Sequence, residues 1–149
     1  MKSMRGYFGI GCLNMKNEIN YGTLFRSAMI FNADFIFLIG RRFKKQASDT
    51  MKSWKHIPLF EYENFQDFNK HRSYDCQLIG IELIESAKLL KDFVHPERAC
   101  YLLGSEDNGL TPEAIKACQN IVILPGEKSL NVSVAGSIVL YDRWSKNNN

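Results

Sequence analysis

Short apolar runs recur along the whole chain and alternate with stretches of helical period, and this alternation restricts the fold more than any other feature. The runs Tyr7–Leu13, Phe35–Ile39, Ile57–Phe60, Gln77–Leu83, Ala99–Leu103 and Ile121–Leu124 read as six strands. Strands interleaved with crossover helices build a mostly parallel sheet flanked by helices, an α/β fold. The first helix is expected over about Tyr21–Phe31, where Leu24, Ala28 and Phe31 recur at spacings of three to four and Asn20 serves as its N-cap. A second covers Phe65–His71. A third starts behind Thr111-Pro112-Glu113, with Thr as cap and Pro in the first turn, and a fourth spans Val132–Trp144.

Between these elements, Gly40 to Lys55 is polar, basic and aperiodic, the pattern of a long surface loop. It carries Arg41, Arg42, Lys44, Lys45, Lys52 and Lys55 with only Asp49 opposed to them, so a polyanion such as RNA can sit there; a solvated loop is the plain alternative. No internal repeat or linker breaks the chain. At 149 residues it is expected to form one domain over residues 1–145, with a frayed tail from Lys146 to Asn149.

A hydrophobic fraction of 45%, with 23% charged residues, excludes disorder and fibre as classes. Cys12, Cys76, Cys100 and Cys118 are too far apart for a CxxC metal pair or redox motif and read as reduced core residues. No metal site is expected. With no signal-like opening and no apolar run of about 18 residues, the expected setting is the cytoplasm, away from membranes.

Three polar turns follow apolar runs. Asn20-Tyr21-Gly22-Thr23-Leu24-Phe25-Arg26 lies after the first strand, with Asn20 and Arg26 six residues apart at a helix start. Leu103-Gly104-Ser105-Glu106-Asp107-Asn108-Gly109-Leu110 brackets a polar turn with two glycines, which admit close backbone approach to a ligand. Leu124-Pro125 leads through Gly126, Glu127 and Lys128 to Ser129-Leu130-Asn131-Val132, where two small polar residues precede the last helix. Each turn alone is equally a cap or a tight loop. Together, at the carboxyl ends of parallel strands, they describe the ligand crevice of an open α/β sheet. A dinucleotide fingerprint at Gly9-Ile10-Gly11 is weaker, because its third glycine would fall on Asn14 and no acidic residue ends the second strand.

In order and spacing, Asn20-x-Gly22-x-x-x-Arg26-x-Ala28, Leu103-Gly104-Ser105-Glu106-x-x-Gly109-Leu110, and Leu124-Pro125 with Ser129-Leu130-Asn131-Val132-Ser133-Val134-Ala135 resemble the three motifs of the SpoU/TrmH family of the SPOUT methyltransferase superfamily. The resemblance implies a C-terminal trefoil knot, a homodimer through the knot with the last helix between subunits, and S-adenosylmethionine-dependent methylation of a ribose 2′-hydroxyl in tRNA or rRNA. Carried over residue by residue, it places cofactor contacts on Ile81, Gly104, Leu124, Ser129 and Leu130. Arg26 polarises the 2′-oxygen and holds the adjacent phosphate, and Asn20 orients Arg26 or the ribose. Glu106 orders the motif loops and Arg26, and Ser129 and Asn131 bond the substrate backbone or each other's loops. The stretch Gly126-Glu127-Lys128 is shorter than the usual family loop. An RNA base methyltransferase and a non-catalytic relative remain as alternatives.

Overall fold

The computed structural model describes residues 6–40, 55–126 and 130–147. Seven strands form one sheet in which every pairing is parallel: β1 (Tyr7–Leu13), β2 (Phe35–Ile39), β3 (Leu59–Tyr62), β4 (Gln77–Ile81), β5 (Lys88–Leu89), β6 (Arg98–Leu103) and β7 (Asn120–Ile123). Their order across the sheet is β3-β2-β1-β6-β4-β7-β5. The chain builds outward from β1 to β3, returns to lay down β4, and then inserts β6 between β1 and β4 and β7 between β4 and β5. The order in which strands are added reverses between β1 and β6, which run parallel, and an open sheet of this kind carries its ligand crevice beyond the carboxyl ends of such strands.

Helices α1 (Glu18–Ile30) and α4 (Val132–Asn147) pack on one face of the sheet, α2 (Phe65–His71) and α3 (Pro112–Ala117) on the other. Strands covered on both faces are apolar at nearly every position. All five residues of β2 are buried, as are four of five in β4 and five of six in β6. Leu24 of α1 is fully buried and packs toward Gly136 of α4, where a side chain would collide with the Leu24 methyl groups. A serine pair, Ser27 and Ser137, bonds across the two helices at 2.7 Å. Burying a leucine such as Leu24 contributes about 1.5–3 kcal/mol.

The structure departs from the sequence reading in particular places. The sheet has seven strands, not six: β5 is two exposed residues at the edge, too short to show any period. The third strand starts at Leu59 rather than Ile57, since Pro58 has no N–H to give a ladder and only its carbonyl serves, accepting from Ile36. The fourth ends at Ile81, where Glu82 turns the chain. Helix α1 begins three residues earlier than expected, capped by the Asn17 side chain accepting from the Ile19 N–H, so Asn20 is an interior residue and not the cap. Helix α4 runs through Lys146 instead of fraying there: the Lys146 ammonium bonds the carbonyls of Leu90 and Phe93 and pairs with Asp142. The loop from Arg41 to Trp54 lies outside the described residues, while Lys55 at its far end is exposed. No described helix is long and apolar enough to cross a membrane.

Glycines Gly9 and Gly11 answer the dinucleotide question. The space a Cβ would take is filled at Gly9 by the Phe35 ring and at Gly11 by the ring and carbonyl of Phe37. They are small so that neighbouring aromatic rings can lie against the sheet.

Candidate active site

Three turns converge at the carboxyl edge of β1, β4, β6 and β7. Helix α1 leaves β1 there, the Gly104–Gly109 turn leaves β6, and α4 starts after β7. A cleft between them is lined by Ile81 and Glu82 at the end of β4, Leu103 to Glu106 and Gly109 after β6, Leu124 and Pro125 after β7, and Leu130, Val132 and Ala135 at the entry to α4. Ile81, Gly104, Leu124 and Leu130, four of the five residues singled out for a cofactor, therefore line one cavity. Ser129, the fifth, lies outside the described residues.

The turn after β6 is closed by its own backbone. Ser105 and Gly109 bond each other in both directions, at 3.3 and 3.0 Å, and the Ser105 hydroxyl accepts from the Asn108 N–H. The site of a Cβ on Gly104 is occupied by the Gly109 backbone, and Gly109 has a φ of +64°, a conformation that suits glycine. These glycines let the turn fold onto itself and set Glu106 at its tip, and both also line the cleft, where the missing side chains leave room for close approach.

Glu106 then ties the turn to α1. Its carboxylate accepts from the backbone N–H groups of Lys16 at 2.9 Å and Asn17 at 2.8 Å, just ahead of the helix, and from the Asn20 amide at 3.1 Å. Burial works to raise its pKa, but the N–H donors of Lys16, Asn17 and Glu106 itself, with the Asn20 amide, outweigh it and hold the carboxyl below its ordinary value. The neighbouring Asp107 pairs with the Lys16 ammonium at 2.6 Å on the surface.

Asn20 continues the chain of bonds. Although only 8% exposed, it is satisfied on both sides, donating to Glu106 and accepting from the Asn131 amide at 3.1 Å. Asn131 in turn caps α4: its side-chain oxygen accepts from the N–H groups of Ser133 and Val134 and from the Ser133 hydroxyl. One residue from each of the three turns, Glu106, Asn20 and Asn131, is thus linked through side chains across more than a hundred positions of sequence. A solitary buried amide would cost stability; this one is satisfied by the two turns it joins.

Arg26 stands apart. It is exposed and forms no hydrogen bond or ion pair with another described residue, so in this structure Glu106 orders the motif turns without bonding Arg26. Its helix positions it beside Thr23 and Ile30, three and four residues away, with Ile19 two turns back along the same side of α1. That side adjoins an apolar groove against α4 formed by Thr23, Phe31, Val134, Ser137, Ile138 and Tyr141. Ile19, Ile30, Val134, Ile138, Tyr141 and Trp144 are all exposed on these two helices. The basic residues Arg41, Arg42, Lys44, Lys45 and Lys52 fall outside the described residues.

The cysteines are free thiols. Burial pushes the Cys12, Cys76 and Cys100 thiols above their ordinary range and Cys118 up to about 11, which disfavours the reactive thiolate at neutral pH. No group of residues suited to a metal occurs among the described residues.

The chain matches the SpoU rRNA Methylase family over residues 8–141, a span that contains the whole site. The chain belongs to this family. A tRNA (guanosine(18)-2′-O)-methyltransferase from Escherichia coli is 26% identical over 114 residues, covering 74% of this chain and 50% of that protein. Thus the chain spans about half the length of such relatives. Among solved structures, an A. aeolicus TrmH/SpoU tRNA modifying enzyme superposes with a TM-score of 0.85 at 20% identity, over 99% of this chain and 78% of that one. An AdoMet-bound rRNA methyltransferase from Sinorhizobium meliloti gives 0.83 at 22% identity, over 98% and 59%. The shared fold is the parallel sheet with helices on both faces; Glu82, which the sequence reading passed over, is a member of its cleft, detectable in hindsight as an acidic residue closing the apolar run Leu78–Ile81.

Proposed function

We propose that this SpoU-family chain transfers a methyl group from S-adenosylmethionine to a ribose 2′-hydroxyl of tRNA or rRNA. The observation that carries the reading is the chain Glu106–Asn20–Asn131, which holds all three motif turns at the rim of one cleft. The cleft suits the cofactor. Its apolar wall of Ile81, Leu103, Leu124, Val132 and Ala135 can enclose an adenine, and its only charged lining residues among those described, Glu82 and Glu106, are carboxylates, which favour a ligand with net positive charge. When bound, S-adenosylmethionine supplies a methyl group activated by a sulfonium.

The residues of the chain do the rest by position. A guanidinium is too weak an acid to act as a neutral-pH base, so Arg26 polarises the 2′-oxygen and clamps the neighbouring phosphate through its planar donors, and the proton passes to phosphate or solvent. Asn20 and Glu106 keep the α1 and β6 turns in register, and Asn131 does the same for the start of α4. Ser129, just ahead of that helix, would bond substrate or its own loop. Arg41, Arg42, Lys44, Lys45, Lys52 and Lys55 supply the counter-charge for the RNA backbone.

The same reading makes the protein a homodimer, with the exposed apolar faces of α1 and α4 between copies, and gives it the trefoil knot that the family resemblance implies. It places the enzyme in the cytoplasm, where its substrate is found. Sedimentation equilibrium returning the monomer mass at micromolar concentration would overturn the dimer. The reaction is tested by transfer of tritiated methyl from S-adenosylmethionine to total RNA, followed by nuclease digestion. Label is expected in a 2′-O-methylnucleotide, and Arg26→Ala should lower transfer by at least about a hundredfold with unchanged melting. Label in a base would replace ribose as the target, and cofactor binding without transfer would favour a non-catalytic relative.

A further inference from the structure

Glu82 is the one carboxylate of the cleft, among the described residues, with an oxygen to spare. The Glu106 carboxylate is spent on three donors within the protein. Glu82 commits only Oε1, which accepts from the Leu110 N–H at 3.2 Å, the first backbone amide after the β6 turn. Its Oε2 has no partner among the described residues and lies over Gly109, where a Cβ would sit 2.5 Å from it. The absence of a side chain at Gly109 thus keeps a half-buried carboxylate at the cleft wall, pinned at one oxygen and open at the other.

We propose that Glu82 binds the ribose hydroxyls of the adenosyl cofactor, a deepening that rests on the methyltransferase reading. Glu82 follows Ile81 directly, at the border of the apolar wall that would take an adenine, and the ribose is the group joined to that base. The reacting end of the cofactor has to face the motif turns, which Glu106, itself a lining residue, ties to Asn20 and through it to Asn131. A vicinal diol offers two O–H donors, and an ionised carboxylate is an acceptor only, so the match is direct and charge-assisted. Glu82 is then a binding residue that fixes the cofactor's rotation about the glycosidic axis without touching the transferred methyl.

The test is a thermodynamic cycle on the full chain by titration calorimetry, using S-adenosylhomocysteine and its 2′,3′-dideoxy analogue against wild type, Glu82→Gln and Glu82→Ala, with thermal melts to verify folding. In wild type, removing the hydroxyls is expected to weaken binding about tenfold or more. In Glu82→Ala the parent ligand should already be weakened by a similar factor, and the two ligands should bind alike. Glu82→Gln, which can still accept from Leu110, should fall with the alanine variant. Equal losses on removing the hydroxyls in all three proteins would overturn the assignment and direct Glu82 to the amino group instead. Wild type binding neither ligand would overturn the methyltransferase reading itself, and this assignment with it.

Discussion

Helix α4 is held at both ends by polar networks, and the two differ in what they leave open. At its start, Asn131 caps the helix and reaches Asn20 and Glu106, in a network partly exposed and bordering the cleft. Toward its far end, Arg143 is 3% exposed and donates to the carbonyls of Pro96 and Glu97 and to the Tyr101 hydroxyl, with its guanidinium 4.3 Å from the centre of the Phe8 ring. His95 bridges Tyr101 at 2.6 Å and Asp142 at 2.7 Å, and Lys146 closes the group against Asp142. Burial pushes the Tyr101 phenol up to about 12. The partners in this second network are groups of the protein, and none of them lines the cleft. The first network satisfies its buried amide with just enough bonds to join three turns, and its neighbours keep acceptors for a ligand. Satisfaction without remainder marks a structural fastening, and a remainder marks a site.

Breaking the sealed network should have the largest effect on stability. Arg143→Ala removes three hydrogen bonds and the ring contact and leaves buried acceptors unpaired, so urea denaturation should show a loss of about 3–5 kcal/mol. Methyl transfer per folded molecule should hardly change at a temperature where the variant is folded. A large fall in turnover with stability intact would erase the distinction between the two ends.

Breaking the open network should act in the opposite proportion. Asn20→Ala cuts the link between Glu106 and Asn131 and is expected to cost about 1–2 kcal/mol in the same denaturation experiment, with a disproportionate loss of cofactor affinity because the turns drift apart. If affinity fell no more than stability predicts, the network would be another fastening.

The smallest effect distinguishes the two by pH. Burial lowers the His95 pKa below 6.5, the hydrogen bond and charge of Asp142 opposing only in part, so the folded protein favours the neutral ring. The unfolded chain then takes up the proton first. Stability is complete above the unfolded value of 6.5 and declines as pH falls from there through the lower folded value. Glu106, whose folded pKa is depressed, keeps its contribution above the unfolded carboxylate range, about 4.3, and loses it only as pH falls further. Melting temperature should therefore drop between about pH 7.5 and pH 5.5 in wild type and stay flatter in His95→Gln. A parallel drop in both would remove His95 as the source.

Much of the fold is legible in the order of residue types. β1 and β2 fall where their apolar runs do, at Tyr7–Leu13 and Phe35–Ile39, and α2 keeps its expected ends, because in strands buried on both faces and in a short capped helix the local pattern and the tertiary environment ask for the same residues. The edge does not follow. β5 is set by pairing with β7 alone and has no pattern of its own, and β3 slips by two residues because Pro58 cannot join a ladder. Four of the expected cofactor residues share a cleft, whereas Glu82 goes unread, since a lone glutamate after an apolar run has no motif to announce it.

By itself the sequence determined the fold class, the three polar turns and the family, all of which depend on residue type and on order along the chain. Tertiary structure alone decided what those residues bond. Asn20 changed from an expected cap to the central link of a network, Gly104 and Gly109 close their own turn while lining the cleft, and Arg26 stands exposed with no bond to the other motif residues. The reason is range: a side-chain bond such as Asn131 to Asn20 spans 111 positions, and only the packing of α4 against α1 on one face of the sheet brings its partners to 3.1 Å.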